Sequence, residues 1–186
     1  RPEGDDLPVD LADERSLAEL VRSVKPRLIV NAAAYSAVDQ AEREPDLAMA
    51  VNGRAPGILQ AEGARLGAAT VHYSTDYVFD GAGSRPWTEA DEPRPLNVYG
   101  RSKLAGEQAM AAAGGAYWIF RTSWVYGVHG ANFVKKILKL AAERPKLRIV
   151  ADQIGAPTST RFLADATAAL LGQAQGDFAD LARRRG

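Results

Sequence analysis

The sequence predicts an α/β fold built on a doubly wound parallel sheet, and three observations carry that prediction. A run apolar on both faces at 27–32 reads as a buried parallel strand, 69–73 is a strand-like segment, and 117–120 reads as another buried strand. Longer stretches with helical periodicity lie between them. Strands and helices alternate along the chain, the order a parallel sheet needs because its crossovers require a helix.

Each element follows in turn. Residues 13–21, opening on Asp13 and Glu14, read as a capped amphipathic helix. The strand at 27–32 follows Lys25 and Pro26. A long helix is expected over 45–66, with apolar positions at Leu47, Ala48, Val51, Ala55, Ile58 and Leu59. Pro56 predicts a kink or break inside it, since proline lacks an N–H and crowds the preceding turn. Gly67 is placed to close that helix before the next strand. Residues 80–97 hold Gly81, Gly83, Pro86, Pro93 and Pro95, a long loop of the kind that often carries function. A helix over 98–113, a strand at 117–120, a helix over 132–144, a short strand at 147–150 and an alanine-rich helix over 161–171 complete the order.

Bulk properties narrow the function classes. At 186 residues the chain can bury one good core. Lys and Arg number 23 and so do Asp and Glu, so no electrostatic footprint for nucleic acid or an anionic membrane is expected. The absence of cysteine excludes disulfides, thiolate metal sites and thiol catalysis, and fits a reducing compartment. No apolar run approaches the roughly 20 residues of a membrane span. The first residues have no signal-peptide character, so a cytoplasmic protein is expected. His72 and His129, the two histidines, are too few and too separated for a metal triad and read as structural.

The chemistry concentrates in the middle. Tyr99 and Lys103 are four residues apart, so a helix places them on one face. A phenol is a poor acid or base at neutral pH, and a nearby ammonium is expected to favour its ionisation. Thr75, at the end of a strand, supplies a neutral hydroxyl donor where open α/β sheets place their chemistry. Its alternative reading is an ordinary strand residue, since a branched β-carbon suits a pleated surface.

Longer motifs surround these residues: Asn31-Ala32-Ala33-Ala34-Tyr35-Ser36-Ala37-Val38-Asp39, His72-Tyr73-Ser74-Thr75-Asp76-Tyr77-Val78-Phe79, and Asn97-Val98-Tyr99-Gly100-Arg101-Ser102-Lys103-Leu104-Ala105-Gly106-Glu107. Arg121-Thr122-Ser123-Trp124 and Asp152-Gln153-Ile154-Gly155-Ala156-Pro157-Thr158 follow. From about residue 10 to about 171 the chain resembles the extended short-chain dehydrogenase/reductases, and within them the sugar-nucleotide 4-keto reductases.

The resemblance implies one partial Rossmann-like NAD(P)-binding domain over 1–186, with 151–186 beginning a smaller substrate-binding portion. It implies NADPH, with NADH as the alternative, reducing the 4-keto group of dTDP-6-deoxy-L-lyxo-4-hexulose to dTDP-L-rhamnose for cell-surface polysaccharide such as lipopolysaccharide O-antigen. Lys103 then holds the nicotinamide ribose, Tyr99 protonates the sugar C4 oxygen, and Thr75 orients the carbonyl. Ala34, Tyr35 and Ser36 face the cofactor, although an ordinary βα turn with Ser36 as helix cap explains them too. Trp124 and Asp76 fall to the substrate, with core packing the alternative for Trp124. Asn132, Pro157 and Thr158 also match the family, and serve equally as caps and turns. Magnesium occurs among relatives, but its ligands do not map onto this sequence, and no metal-site residue is assigned. A homodimer is the expected assembly, and a small nucleotide sugar the expected partner.

Two departures temper this. No Gly-x-Gly-x-x-Gly is present, and residues 172–186 leave the family pattern, so the chain is expected to lack its glycine-rich start and its C-terminal part. On that ground weak NADPH binding is expected of the chain alone. A non-catalytic NAD(P)-binding regulatory relative, and a reductase of another nucleotide-linked 4-ketohexose, are the competing functions.

Overall fold

The computed structural model describes residues 7–130, 132–174 and 177–184. They fall into two compact units, 7–120 with 177–184, and 121–130 with 132–174.

In the first unit, Asp13 caps helix α1 (Glu14–Val24) by accepting hydrogen bonds from the backbone N–H groups of Arg15 and Ser16. The chain turns through Lys25 into strand β1 (Leu28–Asn31), then two short helices, α2 (Val38–Ala41) and α3 (Pro45–Ala48). Where the sequence predicts one long helix interrupted at Pro56, a π turn over Met49–Arg54 leads into α4 (Ala55–Arg65). The interruption falls one step early. Pro56 then sits in the first turn of α4, where its missing N–H costs nothing. Gly67, in left-handed backbone at φ 73°, ends the helix as expected.

Strand β2 (Ala69–Thr75) runs parallel to β1, pairing Leu28 with Ala69 and Asn31 with His72. A 3₁₀ turn at Asp76–Val78 follows, then the irregular segment 79–97, helix α5 (Val98–Ala113) and strand β3 (Ala116–Thr122). The sheet order is β1-β2-β3. Alternation along β2 assigns its two faces. Thr70 lies under Gly63 of α4, and His72 meets Lys103 of α5. Ala69 instead joins Ala116 and Ala182 in a cluster with Leu28, Trp118 and Phe178, which seats helix α8 (Phe178–Arg184) on the other face. Leu17 and Val21 of α1 pack on Ala55 and Leu59 of α4, with Ile29 beneath. Helices on both faces of a parallel pair make the doubly wound arrangement that the sequence predicts.

The second unit holds a two-stranded parallel pair, β4 (Val125–Tyr126) and β5 (Thr158–Ser159), with helices α6 (Phe133–Glu143) and α7 (Thr160–Gly172). Asn132 caps α6 through Lys135 N–H, and Ser159 caps α7 through Phe162 N–H. The strand expected at 147–150 does not form; the segment is irregular. A strand needs a neighbour to satisfy its backbone groups, and no described strand pairs with this one. Among the described residues no helix is long and apolar enough to cross a membrane.

Candidate active site

Two elements of the first unit converge on Thr75 and Tyr99. β2 ends at Thr75, whose Oγ1 accepts from Tyr77 N–H at 3.2 Å and caps the 3₁₀ turn that follows. α5 opens beside that turn. Asn97 Oδ1 accepts from Gly100 N–H at 2.7 Å, and the Glu42 carboxylate accepts from Val98 N–H at 2.7 Å. A Cβ on Gly100 would collide with the Tyr77 carbonyl, so glycine lets the first turn of α5 lie directly on the turn after Thr75. That close approach sets the Tyr99 phenol beside Thr75, near enough for the Thr75 hydroxyl to act on it. Tyr77 packs edge-on against the Tyr99 ring, centroids 5.6 Å apart at 81°. Asp76 accepts from the Thr75 hydroxyl at 3.2 Å.

The electrostatics of Tyr99 differ from the sequence-based expectation. Burial raises its pKa, the Thr75 hydrogen bond opposes that, and the Asp76 carboxylate and Tyr77 add to the rise. Lys103 is not among the groups acting on it. The phenol is therefore held in its protonated form, a proton donor rather than a phenolate.

Lys103, 1% exposed, is occupied elsewhere. Its Nζ donates to the Tyr73 carbonyl at 2.6 Å and lies 3.1 Å from His72 Nε2. Burial lowers its pKa from 10.5 to about 8, with Glu107 opposing. His72 is fully buried, and its Nδ1 lies 3.1 Å from the Asn31 amide. Burial first, and then the Lys103 charge, push its pKa down to about 3, so the ring is neutral at physiological pH. The sequence reading of His72 as structural misses this tie to Lys103. A lone histidine in an otherwise apolar buried strand, facing a helix that carries a lysine, was the available signal.

The loop after β1 presents Ala32, Ala33 and Ala34, all exposed, then half-buried Tyr35 and exposed Ser36. Ala37 rather than Ser36 stands at the cap position of α2, and no side chain caps that helix. The loop is fixed from behind by Asn52, which lies in the π turn and is 1% exposed. Asn52 also donates to Ser102 Oγ at 3.1 Å, and Ser102 donates to the Tyr99 carbonyl at 2.8 Å. Loop, π turn and α5 thus share one hydrogen-bonded chain. Asn52 and Ser102 are functional-site residues that the sequence reading passes over. The Tyr35 hydroxyl donates to Glu44 at 2.6 Å, which raises the Tyr35 pKa to about 12.

Trp124 belongs to the second unit. It is 45% exposed and has φ 45°, a left-handed conformation unusual for a bulky residue. Its indole rests on Gly155, where any Cβ would collide with the ring. Thr158 N–H donates to its carbonyl at 3.4 Å. Exposure and strained backbone together set Trp124 apart from an ordinary core tryptophan.

A family model described as RmlD substrate binding domain matches residues 4–181. The chain belongs to that family. It is 52% identical over 165 residues to a dTDP-4-dehydrorhamnose reductase of Burkholderia thailandensis, covering 89% of this chain and 55% of the relative. The Escherichia coli K12 dTDP-4-dehydrorhamnose reductase is 50% identical over 159 residues, 86% of this chain and 53% of the relative. Among solved structures, a Bacillus anthracis dTDP-4-dehydrorhamnose reductase in complex with NADP superposes with a TM-score of 0.83 at 40% identity, over 88% of this chain and 59% of that one. The chain spans about half the length of the curated relatives it matches. The family resemblance and the fold class read from the sequence both stand.

Proposed function

We propose that the chain forms the catalytic core of an NADPH-dependent dTDP-4-dehydrorhamnose reductase. The reaction reduces the 4-keto group of dTDP-6-deoxy-L-lyxo-4-hexulose to dTDP-L-rhamnose, which serves cell-surface polysaccharide synthesis. The observation that carries this reading is the placement of a protonated Tyr99, at the start of α5, beside Thr75 at the carboxyl edge of the sheet. The similarity to named reductases, one of them in complex with NADP, supports it.

The residues present fit a dinucleotide. The Ala32–Ala34 backbone is bare enough for close approach at the end of β1, where such ligands lie in open α/β sheets. The Lys103 ammonium has three protons and two protein acceptors, which leaves one for a ribose hydroxyl. When bound, the nicotinamide supplies the hydride. The chain's own residues do the rest. Tyr99 delivers its proton to the sugar C4 oxygen, Thr75 donates to the same oxygen and orients it, and Lys103 holds the ribose. Ala34, Tyr35 and Ser36 line the cofactor, while Asp76 and Trp124 contact the nucleotide sugar. The same reading places the protein in the cytoplasm as a homodimer, acting on a small molecule without nucleic acid or membrane.

Tyr99→Phe tests it. The substitution keeps the ring and removes the donor, so NADPH oxidation with the 4-keto sugar nucleotide falls about 100- to 10,000-fold. Near-full activity in a folded variant overturns the assignment.

A further inference from the structure

We propose that His72 is a positioning residue for Lys103: its Nε2 and the Tyr73 carbonyl form a two-point acceptor cradle that fixes the buried ammonium. The proposal rests on the reading that Lys103 serves the cofactor. Its support is geometric.

Lysine is a flexible stem ending in a strongly hydrated point charge, so a buried lysine needs both anchoring and replacement of its water. At Lys103 two acceptors supply these, at 2.6 and 3.1 Å. The carbonyl belongs to the backbone of β2 and cannot move independently. His72 is held as firmly. It is fully buried, and the parallel register sets Asn31 beside it on β1, amide 3.1 Å from Nδ1. An imidazole has nitrogens on opposite sides of one rigid ring, so it spans from Asn31 to Lys103, which no aliphatic or hydroxyl side chain at this position could do.

The charge state follows from the donor count. An ammonium that donates to Nε2 leaves the single ring proton on Nδ1. In the structure Asn31 Nδ2 lies 3.1 Å from Nδ1 while its Oδ1 accepts from Ala33 N–H at 3.3 Å; a proton on Nδ1 requires the amide to turn over, bringing the oxygen to the ring and giving up the Ala33 bond. Because burial keeps His72 neutral, Nε2 remains an acceptor throughout the neutral range. The charged group acting on Lys103 is Glu107, one turn along its own helix, which favours the cation against the burial that disfavours it; His72 faces the ammonium from β2 through its Nε2, 3.1 Å away.

The decisive measurement needs no turnover. Nitrogen-15 spectra of His72 in the chain at neutral pH report its tautomer. A protonated Nδ1 with a bare Nε2 is expected; a protonated Nε2 overturns the proposal. Two variants extend the test. Carbon-13 labelling at lysine Cε follows the Lys103 titration in His72→Leu, which removes the acceptor, and in His72→Gln, which can place an amide oxygen near the Nε2 position. The Lys103 pKa falls by about one unit or more in the leucine variant and returns toward wild type in the glutamine variant. An unchanged or raised value in a folded leucine variant overturns the proposal. If the leucine variant fails to fold, the wild-type tautomer decides alone. In the assay, His72→Leu raises KM for NADPH about tenfold with a smaller change in kcat, and His72→Gln restores it. An absence of turnover in the chain extended to its relatives' length would count against the reductase reading and leave both magnetic-resonance outcomes standing.

Discussion

The side chain of Asn52 brackets the backbone of Tyr35: Oδ1 accepts from its N–H at 2.9 Å and Nδ2 donates to its carbonyl at 2.9 Å. One amide thereby fixes the loop after β1 as a neighbouring strand would, and its third bond reaches Ser102 on α5.

Asn52→Ala removes all three bonds from a buried site and leaves Tyr35 backbone groups unpaired, which costs about 1–3 kcal/mol per group stranded without water. The expected outcome is a lower midpoint in urea unfolding together with a raised KM for NADPH. A variant equally stable, with cofactor affinity intact, would show that the loop is set by other contacts.

Lys103 gives the chain an alkaline signature. Its folded pKa, about 8, lies below the ordinary 10.5 because burial disfavours the cation. Between those values the unfolded chain binds a proton that the folded chain does not, so stability rises with pH across that window. Thermal unfolding of the wild type relative to Lys103→Met should show this rise from about pH 8 to 10.5. Parallel profiles would place the lysine in water. In the assay, loss of the folded-state ammonium predicts activity that falls as pH rises through about 8.

Glu62 gives an acid counterpart. Arg22 of α1 holds its carboxylate with two bonds, at 2.8 and 2.7 Å, and Arg65 adds a third. The Arg22 hydrogen bond is the main cause of the lowered Glu62 pKa, about 2 against an ordinary 4.5. This contribution is complete above pH 4.5 and is lost as pH falls through 2. Arg22 is mostly exposed and solvent screens the pair, so Glu62→Gln costs about 1 kcal/mol at neutral pH. The difference between variant and wild type should close on acidification, as read by urea unfolding at a series of pH values.

Gly155→Ala separates packing from recognition at Trp124. The added methyl meets the indole, which is half exposed and can swing aside rather than strain the unit. We expect little change in melting temperature and a several-fold rise in KM for the nucleotide sugar. A loss of several degrees with normal KM would mark the tryptophan as a packing residue.

Legibility in the sequence varied with how local the cause was. Asp13 and the span of α5 were readable because caps and periodicity act within one or two turns. Thr75 and Tyr99 were readable from motif, and their contact follows from Gly100, whose role depends on the distant Tyr77 carbonyl. The raised pKa of Tyr99 was not readable, since it depends on burial and on which groups surround the phenol. Nor were Asn31, Asn52 and Ser102, polar residues whose partners come from other elements. The 147–150 run has strand composition, but composition does not supply a neighbouring strand. Helix α8 was missed because seven residues are too few for a periodic pattern, and Phe178 acts through Leu28 and Trp118.

The wide turn at Met49–Arg54 turns residue number into rotation. Each helical residue advances the face by about 100°, so deleting any one residue there would swing the whole of α4 around its axis. Leu59 would leave the groove against Leu17 and Val21, Gly63 would no longer face Thr70, and Gly57 would no longer lie against Ala109 of α5. Substitutions in this hexapeptide can be absorbed one contact at a time, whereas a shortened version must lose three interfaces together. Its length should therefore be under tighter constraint than the identity of exposed Arg54, and a single-codon deletion within 49–54 should abolish folding where Arg54→Ala is tolerated.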